Sequence, residues 1–241
     1  MIHIIYNTNH MNLQQLIANK YELGSRIGTG SFGSVYRAKN IRTGDEVAIK
    51  MEPKTTGLLA NEARIYRYLM TMNRIPRMRW FGTTDNVSFL VLDLLGDESL
   101  ASVCLSAEEA IICGHQMIHI VQDLHRRKLI HRDIKPANFV FGRDSDDIFL
   151  VDFGFCRSYE NAGGTHIEQR IGKSLLGTPE FASEHVRNGI EPSRRDDLWS
   201  IAKTVEWICD GTINLNNIKT ECHQMEFDET PNYERFIELM N

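Results

Sequence analysis

The chain is poor in several features, and each shortage excludes something. Its 241 residues hold five cysteines, Cys104, Cys113, Cys156, Cys209 and Cys222, and no two are spaced C-x-x-C. An odd number without metal-ligand spacing reads as free thiols in a reducing compartment, hence an intracellular protein, cytoplasmic or nuclear. It speaks against a disulfide scaffold and a zinc site. No apolar run approaches the ~20 residues of a membrane helix, so no membrane span is expected. The start, "MIHIIYNTNHMNL", is briefly apolar but has no basic n-region and no small-residue cleavage site, so it is not read as a signal peptide. Low-complexity tracts and internal repeats are absent. Positive charge is not in excess either. A net charge of −5 and a pI near 6.0 argue against general nucleic-acid binding, though not against a small polyanion in a local pocket.

What is present is an ordinary globular composition, 42% hydrophobic and 24% charged, on a chain long enough for one large domain or a two-lobed one. Strand-like runs come first: "YELGSRI", "SVYRAKN", "EVAIKME" and "VSFLVLDLL". One helical stretch, "LLANEARIYRYLMTM", interrupts them, with Leu58, Leu59, Ala63, Tyr66 and Leu69–Met70 at helical spacing. After Gly96 the pattern is mainly helical, as in "AEEAIICGHQMIHIVQDLHRRK". Strands first and helices later predict an α+β fold of two lobes. The first would be a small antiparallel sheet with one helix over residues 20–95. The second would be larger and mainly helical over 96–241, and residues 1–19 would be an N-terminal extension. A cleft between lobes is a usual place for a ligand.

"GTGSFGSVYRA" sets Gly28, Gly30 and Gly33 in a G-x-G-x-x-G pattern. Alone this is weak, since a tight hairpin turn reads the same way. In a dinucleotide site the third glycine opens a helix. Here "SVYRA" alternates like a strand, so the loop joins two strands and fits a flexible lid over phosphates. "VAIK" follows with Lys50 on the next strand. Such a lysine commonly just points outward. To hold phosphates it needs an anionic partner, and Glu62 on the helix offers one. Glu52 is nearer, but it lies two residues along the same strand and can only share a sheet face with Lys50.

The stretch "HRDIKPANF" orders an acid, a lysine and an amide at Asp133, Lys135 and Asn138. Asp133 can accept the proton of an attacking hydroxyl, Lys135 can neutralise a moving phosphoryl group, and Asn138 can reach a metal. "VDFGF" then puts Asp152 at the end of the strand "DIFLV", a hard oxygen ligand suited to magnesium. Any one of these acids alone would read as a loop carboxylate. The ordered set is much harder to meet by chance.

Together these motifs resemble the eukaryotic protein kinase family over about residues 20 to 240. Within it the chain is similar to the casein kinase 1 branch, through "LDLLG" at 92 to 96, "HIEQR", "GTPEFAS", "SRRDDL" at 193 to 198 and "NYERFIEL". The resemblance implies a two-lobed kinase fold and Mg2+-dependent transfer from ATP to Ser/Thr hydroxyls of protein substrates. It implies catalytic roles for Asp133 and Lys135, and magnesium ligation by Asn138 and Asp152. Ile27, Gly28, Gly30, Gly33, Val35, Ala48, Lys50 and Glu62 would serve the nucleotide. Leu92 would be the gatekeeper, and Asp93 and Leu95 would offer hinge backbone to adenine. Asp197 would tie the central helix to the catalytic loop; a dipole-stabilising acid at a helix start is the plainer alternative.

The chain departs from the family at three places. The A-P-E ending is replaced by "ASEH", with Glu184 and His185, as that branch also lacks it. The branch's arginine that reads a substrate phosphate is here Glu180, in "GTPEF", and an acid repels phosphate. The connection from Trp207 to Tyr233 is short for the branch, a compaction that suits a virus or a reduced parasite genome. Arg64, Arg67, Arg74, Arg77 and Arg79 form an acid-free basic stretch, either a solvated face or a docking patch for an acidic partner. Thr165 and Ser174 are candidate phosphorylation sites, with Arg132 a candidate receiver, although the resemblance implies activity without them. The rival to an active enzyme is a pseudokinase scaffold. Its usual sign is loss of a catalytic group, and none is lost here.

Overall fold

The structure, a computed structural model, describes residues 16–29 and 33–241. Gly30 and residues 1–15 of the expected extension lie outside the described residues. The chain divides into two compact units. One holds the described residues up to Thr71 together with Ile75–Asp97, and the other holds Met72–Arg74 and Glu98–Asn241. The fold class is α+β, as expected.

The first unit is one antiparallel sheet with a helix. Its strands are β1 (Leu16–Ile17), β2 (Tyr21–Thr29), β3 (Ser34–Asn40) and β4 (Glu46–Pro53), followed by helix α1 (Leu58–Tyr68), β5 (Met78–Thr83) and β6 (Val87–Asp93). The sheet order is β1-β2-β3-β4-β6-β5. Residues directly opposite each other in a ladder share a face. The register therefore puts Ala38, Val47, Ile49, Phe89 and Val91 on one face, where Tyr21 and Ile17 join them in a core. The other face carries Val35, Ala48, Lys50, Leu90 and Leu92, through Val35↔Lys50, Lys50↔Leu90 and Ala48↔Leu92. Helix α1 buries Leu59, Glu62, Ala63 and Tyr66, one stripe at i, i+3, i+4, i+7.

Two expectations about this unit change, and one strand is added. Leu16–Ile17 are the sheet's edge strand and not part of an extension, because Ala18 (φ 53) and Asn19 (φ 50) form a tight left-handed turn back into β2. No glycine marks that turn in the sequence. Strand β5, "MRWFGT", begins at the end of the arginine-rich stretch and shows no clean apolar–polar alternation. The boundary falls after Asp97, and Met72–Arg74 belong to the second unit. Arg74 O accepts from Leu150 N at 2.9 Å, and its guanidinium meets Gln116 at 2.7 Å and Asp147 at 2.8 Å. Arg79 pairs with Asp93. The basic stretch thus spends two arginines internally and leaves Arg64, Arg67 and Arg77 exposed.

The second unit is built on α2 (Ala107–Arg126), followed by the short ribbons β7 (Leu129–Ile130), β8 (Phe139–Phe141), β9 (Ile148–Leu150) and β10 (Arg157–Ser158). Helices α3 (Glu184–Arg187), α4 (Arg194–Ile208), α5 (Asn216–Gln224) and α6 (Tyr233–Met240) complete it. "SAEE" caps α2 reciprocally: Glu109 N donates to Ser106 Oγ at 3.3 Å, and Ser106 N donates to the Glu109 carboxylate at 2.9 Å. Such a cap contributes about 1 kcal/mol. Helix α4 is buried on nearly all sides, and even Arg194 and Arg195 are buried. Their guanidiniums serve as fasteners for the chain after α5: Arg194 donates to Asp228 O at 2.5 Å and Arg195 to Met225 O. Only α5 stands between α4 and α6, on the short connection noted in the sequence. Among the described residues no helix is long and apolar enough to cross a membrane.

Candidate active site

In the first unit, Lys50 Nζ meets Glu62 at 2.8 Å and Glu52 at 3.7 Å. Glu62 is 1% exposed and Glu52 3%. The nearer contact comes from the helix, as the spacing argument anticipated. Glu52 is additionally bonded by Thr56 Oγ1 at 3.3 Å, so it is shared. Gly28 stands opposite Val35, which stands opposite Lys50, so the glycine strand is in register with the lysine. Gly33 has a steric reason of its own: a Cβ there would lie 2.1 Å from Met51 O. Ile27 is exposed, Ala48 half-buried and Leu92 buried. Asp93 gives its backbone N–H to Arg77 O at 3.0 Å. Leu95 is half-buried.

In the second unit, β7 delivers the chain into His131, Arg132 and Asp133. Asp133 is 6% exposed. Its carboxylate accepts from Lys135 Nζ at 2.7 Å, from Thr178 Oγ1 at 2.8 Å and from Asn138 Nδ2 at 3.3 Å. Lys135 also donates to Thr178 Oγ1 at 3.0 Å. Asn138 Nδ2 donates to Asp133 O at 2.8 Å, so the amide nitrogen is committed and the amide oxygen is the atom offered to a cation.

Strands β8 and β9 pair, and Val151 N donates to Asn138 O at 2.9 Å, which sets the backbone before Asp152 beside Asn138. Asp152 itself has φ 64, a left-handed conformation that an Asp tolerates better than most residues. Its carboxylate oxygen lies over Gly154, 3.3 Å from where a Cβ would be. An amide oxygen and a carboxylate carried on paired strands are hard donors of the kind magnesium takes. The residues fit that ion.

Behind this surface lies a buried charge. Asp197, on α4, accepts from His131 N at 2.8 Å, Arg132 N at 2.9 Å and His125 Nε2 at 3.1 Å. Burial pushes its pKa up, but the hydrogen bonds from His125 and His131 outweigh that, and it lies below the usual carboxylate range. Burial lowers the pKa of His125, offset in part by Asp197. The imidazole donates to Asp197 through Nε2 and accepts from Tyr233 Oη at Nδ1, 2.8 Å away. Of the two readings of Asp197, the hydrogen bonds support the tie to the catalytic loop.

Thr178 was missed as a site residue, although "GTPEF" was singled out. Nothing in that pentapeptide says that its threonine reaches Lys135, 43 residues earlier in the chain. The preceding glycine holds the clue. Gly177 has φ 86, and a Cβ there would meet Arg132 O at 2.5 Å. His125 and Tyr233 were missed because a histidine inside a helix reads as packing.

Glu180 is exposed at the rim of an open groove of about 740 Å³, with Phe181, Trp207 and Asp210. The two lysines of that groove are committed: Glu206 lies 2.8 Å from Lys219 and 3.5 Å from Lys203. Cys156 is buried, and burial pushes the Cys113 thiol up to about 11, which fits packing roles. A family model described as a protein kinase domain matches residues 21–238.

Proposed function

The chain belongs to the protein kinase family, and from that premise we propose that it is a serine/threonine kinase that does not need a phosphate already on its substrate. The observation that carries this reading is Lys135, bonded at once to Asp133 and to Thr178. A lysine two residues after the catalytic acid is the arrangement that, by resemblance, serine/threonine kinases use.

Asp133 orients the substrate hydroxyl and accepts its proton as that oxygen bonds to the γ-phosphorus of ATP and the bond to the departing ADP oxygen breaks. Lys135 stands beside that carboxylate and offsets charge on the phosphoryl group in transit. Thr178 holds both in place. Lys50, oriented by Glu62, presents an ammonium to the nucleotide phosphates. Asn138 and Asp152 would hold magnesium, which would supply positive charge to offset that of the phosphates. Independence from priming rests on Glu180, which is acidic, and on Lys203 and Lys219, which are spent on Glu206.

The test is a purified-protein assay with labelled ATP, magnesium and mixed protein substrates, read by phosphoamino-acid analysis. Phosphoserine and phosphothreonine are expected. Phosphotyrosine as the main product would overturn the residue class, and no transfer at all would favour the scaffold reading.

A further inference from the structure

Glu191 lies in the loop before α4 and is 4% exposed. A carboxylate in such a place requires compensating partners. One oxygen accepts from the Arg157 guanidinium at 2.7 Å. The other lies 3.6 Å from Lys173 Nζ and takes no hydrogen bond. A third cation is close enough to feel it. Arg132 donates to Phe155 O at 2.7 Å, and its pKa is pushed down to about 10, first by burial and then by Arg157, with Glu191 among the opposing attractions. Glu191 is thus an anion among cations.

Those cations come from different segments. Arg157 is on β10, whose partner β7 runs directly into Arg132 and Asp133. Lys173 is on the segment that leads to Gly177 and Thr178, and Thr178 bonds Asp133. The backbone makes the same link: Glu191 N donates to Arg170 O at 2.8 Å, and Lys173 N donates to Gly189 O at 2.9 Å. The loop before α4 therefore joins the segment that carries Thr178 to the strand that carries the catalytic loop. A phosphate added to such a segment commonly supplies the anion that orders it, by pairing with arginine.

We propose that Glu191 is a positioning residue, a built-in anion that holds residues 170–178 against the catalytic loop so that turnover needs no phosphate on Thr165 or Ser174. This rests on the protein kinase reading above.

Turnover on dephosphorylated casein tests the role directly. Glu191→Gln keeps the shape and removes the charge; kcat should fall at least tenfold while KM for ATP stays within twofold. A kcat within twofold of wild type overturns the proposal. In Glu191→Ala, added acetate should restore kcat at least threefold, since Arg157 and Lys173 are each partly exposed, at 38% and 41%. A variant that loses activity and is not restored has lost packing only, which also overturns it. Phosphatase-treated wild type should keep its rate within twofold, and a tenfold drop would mean that a phosphate does this work. Trypsin cleavage after Arg170 and Lys173, followed by mass spectrometry, should be at least tenfold faster in Glu191→Gln, and equal rates would sink the clamp. That arm needs no turnover. A wild-type chain without transferase activity would defeat the kinase reading, while the cleavage rates still judge the clamp. Should the Glu191 variants fail to fold, Arg157→Gln breaks the same contact from its partly exposed side, with the same losses expected and the same null results decisive.

Discussion

The two units hold their site residues in different ways. In the first, a lysine on β4 meets a carboxylate on the neighbouring helix, 12 residues away, at 2.8 Å. In the second, Asp133 is fixed by Lys135, Asn138 and Thr178, and the loop that carries it is fixed by Asp197 and, through His125, by Tyr233 on α6. The first is a local pair. The second is a network drawn from residues more than 100 positions apart, from His125 to Tyr233. A pair fails as one unit, because either partner is idle without the other. A network spreads orientation over several bonds, so the groups that do the chemistry and the groups that hold them can be lost separately.

The largest expected effect tests the chemical end of the network. On the proposed role of Asp152 as a magnesium ligand, Asp152→Asn should lower turnover at least about 100-fold, since the lost charge would no longer help stabilise the moving phosphoryl group. The backbone should keep its shape, because Asn also accepts φ 64. Unchanged melting with turnover within about threefold, worth ~0.65 kcal/mol of barrier, would remove Asp152 from the metal site.

The pair comes next. Lys50→Met should lose most turnover, and Glu62→Gln should lose somewhat less by misplacing the lysine. The double variant should be little worse than Lys50→Met alone, since both act on one unit. Losses that multiply would break the comparison and point to Glu52, 3.7 Å from Lys50, as the working partner.

The buried end of the network should show in stability and pH. Burial lowers the pKa of His125 in the folded chain, whereas in the unfolded chain it protonates near pH 6.5. Below that pH the unfolded state binds the extra proton. The contribution of His125 is therefore complete above about pH 6.5 and is lost as pH falls toward the folded value, by up to about 1.4 kcal/mol per unit. Asp197, shifted down, loses its contribution only below about pH 4, as pH falls through its folded pKa. A melting-temperature profile of His125→Gln should be flatter than wild type between about pH 6.5 and 5. Parallel profiles would mean that His125 does not titrate as argued.

The smallest effect concerns the exposed rim. A substrate phosphate near Glu180 should cost on the order of 1 kcal/mol, roughly fivefold in binding. Matched primed and unprimed peptides should differ little in kcat/KM, and Glu180→Arg should raise the relative rate on the primed one. A wild-type preference for the primed peptide of tenfold or more would show that other cations form an anion site. Lys173, already beside Glu191, would be the first to examine.

Short motifs made the candidate residues legible. "VAIK", "HRDIKPAN" and "VDFG" single out Lys50, Asp133, Lys135, Asn138 and Asp152, because the proposed roles depend on spacing within one strand end or loop. Thr178 was not legible, since its role is a contact made only when two distant loops meet. Edge strand β1 was missed because Ala18 and Asn19 carry no glycine signal, and β5 because "MRWFGT" lacks the apolar–polar alternation that marks a strand.

By itself the sequence determined the α+β order, the strand-to-strand glycine loop and the candidate groups proposed for phosphoryl transfer. Those follow from local periodicity and local spacing. Only the tertiary structure decided which acid holds Lys50 most closely, that Thr178 joins Asp133, that Asp197 is the buried anchor of the catalytic loop, and that Glu191 meets Arg157 and Lys173. Each of these depends on distance through space and on burial. A carboxylate's partners and its pKa are set by the cations and N–H groups that folding brings around it, and those come from parts of the chain that no sequence window spans.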